Sequence, residues 1–428
     1  MTSGVNRPRV VVVGAGFGGL SAVRGLRRAP VDTLVVDRHN YHLFTPLLYQ
    51  VASALLDPSE IARPARALLR RIGNADLRVA RVEGVDLEAR RLHTSAAPVE
   101  YDYLVLAAGS VDNFFGIEGV EERGFSLKDL GGALALRNRV LRQFERAMWT
   151  DDANQRRRLL SFAIVGGGPT GVEFAGALSE LIALVLRKDF PNLDIGAVRI
   201  ALVEAGDGLL AAFAPRLRRA AQRALERKGV EVRVRTSVTR ADETGLLLAD
   251  GTHVEAGTVI WTAGVYGADL AGAVVARPAS ARRVAVGPTL QLAEHPEVFV
   301  IGDLAEVQQD GAPLPMLIPV AMQEGEHVAR SIAAMTAGQA LQPFRYHDPG
   351  IMATIGRNSG VAQVGPFKLS GFIGWCAWLG LHLIKIIGFR NRLIVLINWG
   401  WEYFRYDRPV RLIAAPRGAP DTAPPDGL

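Results

Sequence analysis

The hydrophobic pattern of the chain begins with a short apolar run that passes directly into a glycine-rich turn. Residues 10–13 are four consecutive valines, and they are followed by Gly14, Gly16 and Gly19 in the spacing G-x-G-x-x-G. A helical pattern comes next, and a second apolar run, Thr33-Leu-Val-Val, ends in Asp37. Short β-branched runs are typical of buried parallel strands, so this stretch predicts one strand–helix–strand unit.

The three glycines have separate steric roles at such a turn. Gly14 permits the tight turn, Gly16 lets a pyrophosphate approach the backbone, and Gly19 lets the helix close onto the strand. The phosphates would then face the positive end of the helix. Asp37 lies 18 residues after Gly19, where its carboxylate can accept hydrogen bonds from ribose hydroxyls, and Arg38 follows it in the same predicted site. The alternative is a glycine-rich turn without a ligand.

The opening pattern returns farther along the chain. The apolar residues 162–165 lead into a second G-x-G-x-x-G motif, which is offset from the first by 152 residues and consists of Gly166, Gly168 and Gly171. An apolar run that ends at Ala108 and Gly109 predicts one strand, and the same pattern recurs in a run that ends at Gly264, 155 residues after Gly109. Two markers with nearly one offset predict two copies of a dinucleotide-binding domain.

The acid predicted for the second copy is Glu204, which closes the apolar run 198–203. It lies 33 residues after Gly171, because residues 184–196 insert an additional helix end and a loop. Ala205 and Gly206 follow it instead of an arginine, so a 2′-phosphate would meet a carboxylate and no cation. The sequence therefore favours NADH over NADPH.

Two dinucleotide sites imply an electron path with one resident and one transient cofactor. A flavin is the natural resident because it can hold electrons between two partners. Asp303 follows the apolar run 298–301 and Gly302, where it can bind a ribityl chain; the alternative is an acid in a strand-end turn. Pro319 begins a predicted helix whose amino-terminal end can stabilise negative charge on a reduced flavin ring.

Composition and charge restrict the class of protein. The 428 residues are 49% hydrophobic and 21% charged, which predicts two or three domains with sizeable cores. Residues 1–9 are polar, so no signal peptide is visible and we expect the protein to remain in the cytoplasm. The single cysteine, Cys376, excludes an internal disulfide, a dithiol centre and a cysteine zinc site, and no metal is predicted. The net charge of +6 alone is compatible with nucleic acid, an anionic membrane or neither.

The carboxy-terminal region contains two apolar segments. Residues 372–387 hold twelve apolar residues out of sixteen, and residues 393–404 are similar. Both are too short and too polar to span a bilayer, so they predict amphipathic helices in the headgroup plane of an anionic membrane. A dimer interface or a cap over the core is the alternative. The helix predicted around the second segment has a polar stripe that consists of Asn391, Asn398, Glu402 and Arg405. Its opposite stripe is apolar and consists of Ile394, Ile397, Trp401 and Phe404.

Residues 10–413 resemble the type II NADH:quinone oxidoreductases, which are single-subunit, non-pumping respiratory flavoenzymes with two dinucleotide-binding domains. Besides the glycine motifs, the matching segments are 40–52 (Asn-Tyr-His-Leu-Phe-Thr-Pro-Leu-Leu-Tyr-Gln-Val-Ala), 301–303, 352–357 and 387–392. The resemblance implies non-covalent FAD in the first domain, NADH in the second, and carboxy-terminal helices on the cytoplasmic face of the membrane.

The resemblance also implies the positions of two polar side chains. Glu173 would lie near the nicotinamide, and Gln323 beside the flavin on the quinone side. The family segment Ala-Gln-x-Ala-x-Gln-Gln reads Ile-Pro-Val-Ala-Met-Gln-Glu here, with Pro319 and Glu324 replacing two glutamines. Menaquinone, ubiquinone and a non-quinone acceptor therefore all remain open.

The sequence predicts an α/β protein with two Rossmann-like domains, the second inserted into the first, and a carboxy-terminal amphipathic helical module that docks on a membrane. The predicted ranges are 1–125 and 276–345 for the FAD-binding domain, 126–275 for the NADH-binding domain, and 346–428 for the membrane module with a flexible tail.

The predicted reaction passes a hydride from NADH to FAD and then two electrons to a membrane quinone. Glu173 would orient the nicotinamide or relay a proton, and Gln323 would polarise a quinone carbonyl. Glu324 or Arg357 would connect the quinone oxygen to protons or stabilise its charge. The predicted partners are the quinone and an anionic membrane surface, with no nucleic acid, and a homodimer is left open. The alternatives are a soluble NADH-dependent flavin oxidoreductase with another acceptor and a non-catalytic nicotinamide-sensing flavoprotein.

Overall fold

The computed structural model describes residues 7–275, 278–386, 389–405, 408 and 410–413. Its contacts divide the chain into two compact units. The first unit consists of Met1–Leu43, Ala62–Asn113 and Val265–Pro349. The second consists of Phe44–Ile61, Phe114–Gly264 and Gly350–Leu428. Residues 414–428, at the end of the predicted module with its flexible tail, and residues 387–388 of a matching segment lie outside the described residues, as do the side chains of Glu402 and Phe404.

These divisions differ from the ranges that the sequence predicts. The sequence places residues 44–61 in the first domain, whereas in the structure they pack within the second unit. There the helix Leu48–Ala52 contacts the helices Leu130–Trp149 and Pro169–Glu180. The carboxy-terminal region also belongs to the second unit and is not a separate compact unit.

The first unit is built on a parallel five-stranded sheet. In spatial order its strands are Val298–Val300, Tyr103–Leu106, Arg9–Val13, Asp32–Asp37 and Ala75–Val79. Val13 pairs with Val36 on one side and with Leu106 on the other, so the predicted strand–helix–strand unit is present in register. The four valines of residues 10–13 are at most 6% exposed and lie at the centre of the core.

Smaller sheets and helices complete the first unit. Three antiparallel strand pairs are Tyr41–Leu43 with Ala62–Pro64, Ser110–Asp112 with Val265–Gly267, and Gln308–Gln309 with Ala312–Pro313. A three-stranded antiparallel sheet consists of Val82–Asp86, Arg91–Thr94 and Val99–Glu100. The short strands Val284–Ala285 and Ala305–Glu306 pair in parallel. The helices of this unit, including 3-10 turns, are Phe17–Leu26, Ala65–Leu69, Asp269–Ala273, Ser280–Arg282, Gly302–Leu304 and Ile318–Thr336.

The helices Phe17–Leu26 and Ile318–Thr336 cross at very short distance. A Cβ atom added to Gly325 would lie 2.2 Å from the carbonyl oxygen of Gly18, and one added to Gly25 would lie 2.4 Å from the Cβ of Ala329. The second helix begins at Ile318, one residue before the start at Pro319 that the sequence predicts, and Pro319 lies in its first turn, where the N–H that proline lacks would be unpaired.

The second unit repeats the parallel sheet. In spatial order its strands are Gly124–Ser126, Thr258–Trp261, Ser161–Val165, Arg199–Val203 and Val230–Arg233. Two antiparallel sheets accompany it, consisting of Val238–Ala241, Gly245–Leu248 and His253–Glu255, and of Ile351–Thr354, Gly360–Val364 and Phe367–Gly371. The duplicated domain that the sequence predicts is therefore confirmed.

In the second unit, the highly charged residues 151–158 predict a connection between elements, but the structure has a helix there. Ala153–Leu159 is a helix because Asp152 caps its first turn and Leu159 is buried. The other helices are Thr45–Leu47, Leu48–Ala52, Pro58–Ile61, Val120–Arg123, Leu130–Trp149, Pro169–Glu180, Leu181–Leu186 (a π-turn), Arg187–Asp189, Ile195–Ala197, Pro215–Arg227, Phe372–Lys385 and Phe389–Arg405.

Among the described helices, one is long and apolar enough to cross a membrane. It comprises residues 169–189, and 72% of its apolar window is buried inside the structure. The core helices of globular units can have the same length and composition, and burial in the second unit accounts for the apolar composition of this helix.

Candidate active site

The first glycine turn, Gly14–Gly19, is closed by backbone contacts that admit no side chain. The N–H of Gly14 donates to the carbonyl of Val36 at 2.9 Å, and Gly14 has a φ of +103°. A Cβ atom there would lie 2.3 Å from the carbonyl oxygen of Ala107, and one on Gly19 would lie 1.9 Å from the carbonyl oxygen of Gly14. Gly16 differs, because nothing lies within 4 Å of its Cβ position. The turn is therefore packed on its inner side and open where a pyrophosphate would approach.

Asp37 is tied to this turn. Its Oδ2 accepts a hydrogen bond from the N–H of Ala15 at 2.6 Å, and its Oδ1 accepts one from the N–H of His39 at 2.7 Å. These bonds fix the carboxylate beside the turn while lone pairs remain for ribose hydroxyls. Arg38 lies next to it and is exposed.

The other residues predicted for the first site also belong to the first unit. Gly109 has a φ of +72°, follows Ala108 at the end of a central strand, and has open space at its Cβ position. Asp303 lies in the short helix Gly302–Leu304 and accepts a hydrogen bond from the hydroxyl of Ser110. The first site thus combines open backbone at the glycines with two carboxylates, Asp37 at the end of the second strand and Asp303 after the edge strand. This set of donors and acceptors fits FAD.

The second glycine turn, Gly166–Gly171, has nearly the same geometry. Gly166 has a φ of +109°, and its N–H donates to the carbonyl of Val203 at 2.8 Å. A Cβ atom on Gly171 would lie 2.0 Å from the carbonyl oxygen of Gly166, whereas nothing lies within 4 Å of the Cβ position of Gly168. Gly264 follows the adjacent strand with a φ of +158°.

Glu204 holds the place in the second turn that Asp37 holds in the first. Its Oε2 accepts a hydrogen bond from the N–H of Gly167 at 2.5 Å, and its Oε1 accepts one from the N–H of Gly206 at 2.6 Å. The longer sequence spacing does not displace it, because the inserted residues lie before its strand. This turn fits the adenosine half of a second dinucleotide.

Glu173 lies on the helix after the second turn, and its side chain is buried in the second unit. Its Oε1 accepts hydrogen bonds from the N–H of Thr354 and from the indole N–H of Trp378, each at 3.2 Å. Burial raises the pKa of Glu173 to about 8, and the two hydrogen bonds lower it only in part. Neither Thr354 nor Trp378 was predicted as a site residue, although Thr354 lies in the matching segment 352–357.

Gln323 and Glu324 lie in the first unit, in the helix Ile318–Thr336. The amide of Gln323 pairs with the backbone of His347, donating to its carbonyl at 2.8 Å and accepting from its N–H at 3.0 Å. Glu324 is 1% exposed and accepts a hydrogen bond from the N–H of Gly302 at 2.5 Å. Burial raises the pKa of Glu324 to about 8, and the charge of Asp303 adds to this effect. Glu324 therefore holds the turn that carries Asp303.

Arg357 belongs to the second unit. Its backbone N–H donates to the Oε1 of Glu180 at 2.6 Å, and its guanidinium group lies over the ring of Tyr403, 4.9 Å from the centroid. These contacts attach the loop after the strand Ile351–Thr354 to the helices of the same unit.

Two side chains of the predicted polar stripe, Asn391 and Asn398, attach the helix Phe389–Arg405 to the second unit, whereas Arg405 of the same stripe is exposed. Asn391 donates to the backbone carbonyl of Glu60 at 2.7 Å, and Asn398 donates to the side chain of Glu60 at 2.5 Å. Ile397 and Trp401, on the opposite stripe, are 57% and 56% exposed. We name the exposed apolar side chains of this region the outer apolar surface; it comprises Phe367, Phe372, Ile373, Leu381, Ile384, Leu393, Leu396, Ile397, Trp401, Leu412 and Ile413.

The duplicated parallel sheets and their two glycine turns define a pyridine-nucleotide flavoprotein fold. The family model of the pyridine nucleotide-disulphide oxidoreductases matches residues 8–325. Because the chain has one cysteine, it shares the fold of that family without an internal dithiol. NDH2 from Plasmodium falciparum, solved in complex with NADH, has a similar fold, with a TM-score of 0.88 at 18% identity over 94% of this chain and 99% of that one.

Closer relatives narrow the family. The type II NADH:quinone oxidoreductase Ndh of Mycobacterium tuberculosis is 38% identical over 92% of this chain and 87% of its own length. The type II NADH:quinone oxidoreductase of Staphylococcus haemolyticus is 30% identical over 86% of this chain and 92% of its own length. The chain belongs to the type II NADH:quinone oxidoreductases, which confirms the resemblance found in the sequence.

Proposed function

We propose that this protein is an FAD-dependent oxidoreductase that passes a hydride from NADH to FAD and then two electrons to a membrane quinone, without pumping protons. The observation that carries the proposal is the pair of glycine turns, each closed on the inside, open at its middle glycine and bound to one acid. The names of the relatives support the same reaction.

The first turn is proposed to hold FAD. The backbone at Gly16 receives the pyrophosphate, Asp37 the ribose hydroxyls and Asp303 the ribityl chain. When bound, FAD supplies the ring system that accepts a hydride and releases two electrons. Glu324 fixes the Gly302–Asp303 turn, and its raised pKa keeps a proton on its carboxyl group at neutral pH.

The second turn is proposed to hold NADH, with Gly168 facing the pyrophosphate and Glu204 the adenosine ribose. No arginine directly follows Glu204, which disfavours the 2′-phosphate of NADPH. Glu173, with a pKa near neutrality and no charged hydrogen-bond partner among the described residues, is proposed as the group that carries a proton at this site.

A quinone is proposed as the electron acceptor, with Gln323 as a donor to one of its carbonyl groups. A side-chain amide has two N–H groups, and Gln323 uses one of them for the carbonyl of His347. The second N–H is the proposed donor. A soluble acceptor is the second candidate.

The outer apolar surface is proposed to dock on the cytoplasmic face of an anionic membrane. Asn391 and Asn398 of the helix Phe389–Arg405 hydrogen-bond to Glu60, and Ile397 and Trp401 on its other side are exposed. Apolar side chains in this number fit the boundary between headgroups and acyl chains. The guanidinium of Arg405, 5.5 Å from the ring centroid of Trp401, is placed to contact anionic headgroups.

Stepwise anaerobic reduction tests the reaction. Purified protein carrying FAD is mixed with NADH, and the flavin absorbance should disappear. Addition of a menaquinone or ubiquinone analogue should then restore the oxidised spectrum. Restoration by soluble dyes or oxygen alone would indicate the soluble oxidoreductase, and slow bleaching without turnover would indicate a nicotinamide sensor. A colourless protein that does not take up added FAD would contradict the proposal.

Flotation with anionic vesicles tests the membrane surface. Replacing Ile397 and Trp401 together with glutamine should reduce vesicle binding at least tenfold, since about 1.5–3 kcal/mol is lost for each large apolar side chain that no longer inserts. Trp149→Gln is the control, because Trp149 is 85% exposed in the same unit but lies at the end of another helix. Unchanged flotation together with loss of a dimer in sedimentation would identify the surface as a dimer interface.

A further inference from the structure

The carboxyl group of Glu173 is held by neutral donors only. Within the described residues, its hydrogen bonds come from the backbone N–H of Thr354 and the indole N–H of Trp378, and both reach Oε1. The bond to Thr354 is part of a strand and cannot be removed by changing a side chain. The bond to Trp378 is donated by a side chain, and it comes from the helix Phe372–Lys385 that carries part of the outer apolar surface.

Aromatic contacts fix the orientation of the Trp378 indole. The ring is 1% exposed and stacks on His382 with the centroids 4.1 Å apart and an angle of 23°. Tyr49 lies edge-on at 6.3 Å, and Trp399 lies at 5.9 Å. The indole of Trp399 is itself held, because its N–H donates to Gln50 at 2.9 Å. The Trp378 N–H therefore has one direction available, toward Glu173.

Among the residues that the structure describes, the ionisable groups around Glu173 include no cation that pairs with it. Burial lowers the pKa of His382 to about 4, so its ring is neutral, and burial and then the charge of Glu173 raise the pKa of the Tyr49 hydroxyl. Glu180, at the end of the helix that carries Glu173, pairs with Lys228 at 2.6 Å and with Arg408 at 3.9 Å. The protonation of Glu173 is consequently a balance between burial and its two hydrogen bonds.

We propose that Trp378 is a positioning residue for Glu173, whose indole N–H holds the carboxyl group in place and favours its charged form. The hydrogen bond joins the helix Phe372–Lys385 to the helix Pro169–Glu180, which follows the second glycine turn. The helix Phe372–Lys385 therefore carries both part of the outer apolar surface and the donor to Glu173. The inference rests on the proposed function for the role of Glu173 in turnover, although the hydrogen bond can be tested without turnover.

The variant Trp378→Phe keeps an aromatic ring and removes the donor. Loss of one hydrogen bond to a carboxylate should raise the pKa of Glu173 by about one unit. An infrared pH titration of the carboxylic acid stretch, with Glu173→Gln to assign the band, measures this shift directly. The pH dependence of turnover should move in the same direction, toward more alkaline pH.

Trp375→Phe is the matched control. Trp375 lies one turn earlier on the same helix and stacks on Tyr403 at 5.8 Å, so the substitution changes aromatic packing without touching Glu173. We expect its titration to coincide with that of the wild type. A shift of equal size in both variants would show that packing of the helix, not the indole donor, determines the protonation of Glu173, and would overturn the proposal.

The wild-type protein provides a second measurement that needs no Trp378 variant to fold. Ultraviolet resonance Raman bands of tryptophan report hydrogen bonding at the indole N–H, and one band should change with the titration of Glu173 and become insensitive to pH in Glu173→Gln. An identical Raman response in both proteins would also overturn the proposal. Failure of the proposed function has a different signature, in which the wild type titrates as expected but turns over no quinone.

Discussion

The two glycine turns reach almost the same geometry from different sequences. Gly14 and Gly166 have φ values of +103° and +109°, and each donates its N–H to the last valine of the neighbouring strand. Asp37 and Glu204 each accept a hydrogen bond from the residue between the first two glycines of the turn. The acids nevertheless lie 18 and 33 residues after the third glycine. Strand register, not distance along the chain, determines where the acid is placed.

The surroundings of the two turns differ. The helix Ile318–Thr336 packs on the helix that follows the first turn, and Glu324 accepts a hydrogen bond from the N–H of Gly302, next to the acid Asp303. Around the second turn, no residue was predicted to have the role of Asp303, and the additional carboxylate, Glu173, is directed toward Trp378. A site with more side chains available to bind the nucleotide suits a ligand that remains bound, and a site with fewer such side chains suits a ligand that dissociates. The comparison supports FAD in the first turn and NADH in the second.

Substitution of the first glycine in each turn should have the largest effect. Gly14→Ala and Gly166→Ala place a Cβ atom within 2.7 Å of backbone atoms at positive φ, so each should destabilise the protein by about 3 kcal/mol or more. Thermal unfolding measures the loss. Gly229→Ala is the control, since Gly229 has a φ of +79° and open space, and it should cost about 1 kcal/mol. A Gly14→Ala protein as stable as the control would contradict the packing of the first turn.

Substitution of the middle glycine of each turn should show which turn binds FAD and which binds NADH. Gly16→Ala and Gly168→Ala add a Cβ atom to open space at a φ of −71°, so the folded protein should tolerate both. Gly16→Ala should weaken FAD binding on the order of a hundredfold, whereas Gly168→Ala should keep the flavin and raise the KM for NADH to a similar extent. Flavin content and steady-state kinetics distinguish them. Loss of flavin from Gly168→Ala alone would reverse the assignment of the ligands.

The pH dependence of stability should identify the buried acid of the first unit. The folded-state pKa of Glu324, about 8, lies above the unfolded value, so the folded state binds its proton more tightly. This contribution to stability is complete below the unfolded pKa and is lost as the pH rises through about 8. Glu324→Gln should remove a decrease in stability of a few kcal/mol between the unfolded pKa of a glutamate and about pH 8 in denaturant titrations. The exposed neighbour Glu326 provides the control Glu326→Gln, which should leave the decrease unchanged.

The smallest predicted effect concerns nucleotide selectivity. Glu204→Gln removes the charge that opposes a 2′-phosphate and weakens the acceptor for ribose hydroxyls, so the preference for NADH over NADPH should narrow about tenfold. The ratio of kcat/KM for the two nucleotides measures it. Glu226→Gln, an exposed change in the same unit, should leave this ratio unaltered. An unchanged ratio in Glu204→Gln would mean that selectivity is determined elsewhere.

The sequence predicts features whose causes are local. Both glycine turns and the helix near Pro319 follow from the conformation that each residue allows. The helix Ala153–Leu159 was missed because its cap, Asp152, and its one buried side chain lie within a polar run. A polar composition alone therefore does not exclude a helix.

Contacts between distant residues could not be predicted in the same way. Asn398 and Glu60 are 338 positions apart, so the amphipathic pattern predicts two stripes without showing which one faces the protein. Trp378 and Glu173 are 205 positions apart, and no local pattern connects them. The segment 44–61 also packs in the second unit through its contacts with later helices.

The close crossing of the helices Phe17–Leu26 and Ile318–Thr336 limits how the first unit can respond to its ligands. With Gly325 against the backbone of Gly18, and Gly25 against Ala329, neither helix can slide or tilt without steric overlap or a void. We therefore expect Gln323 and Glu324 to move together with the helix that follows the first glycine turn. Conformational change during a catalytic cycle has to come from side-chain rotation or from segments outside this helix pair.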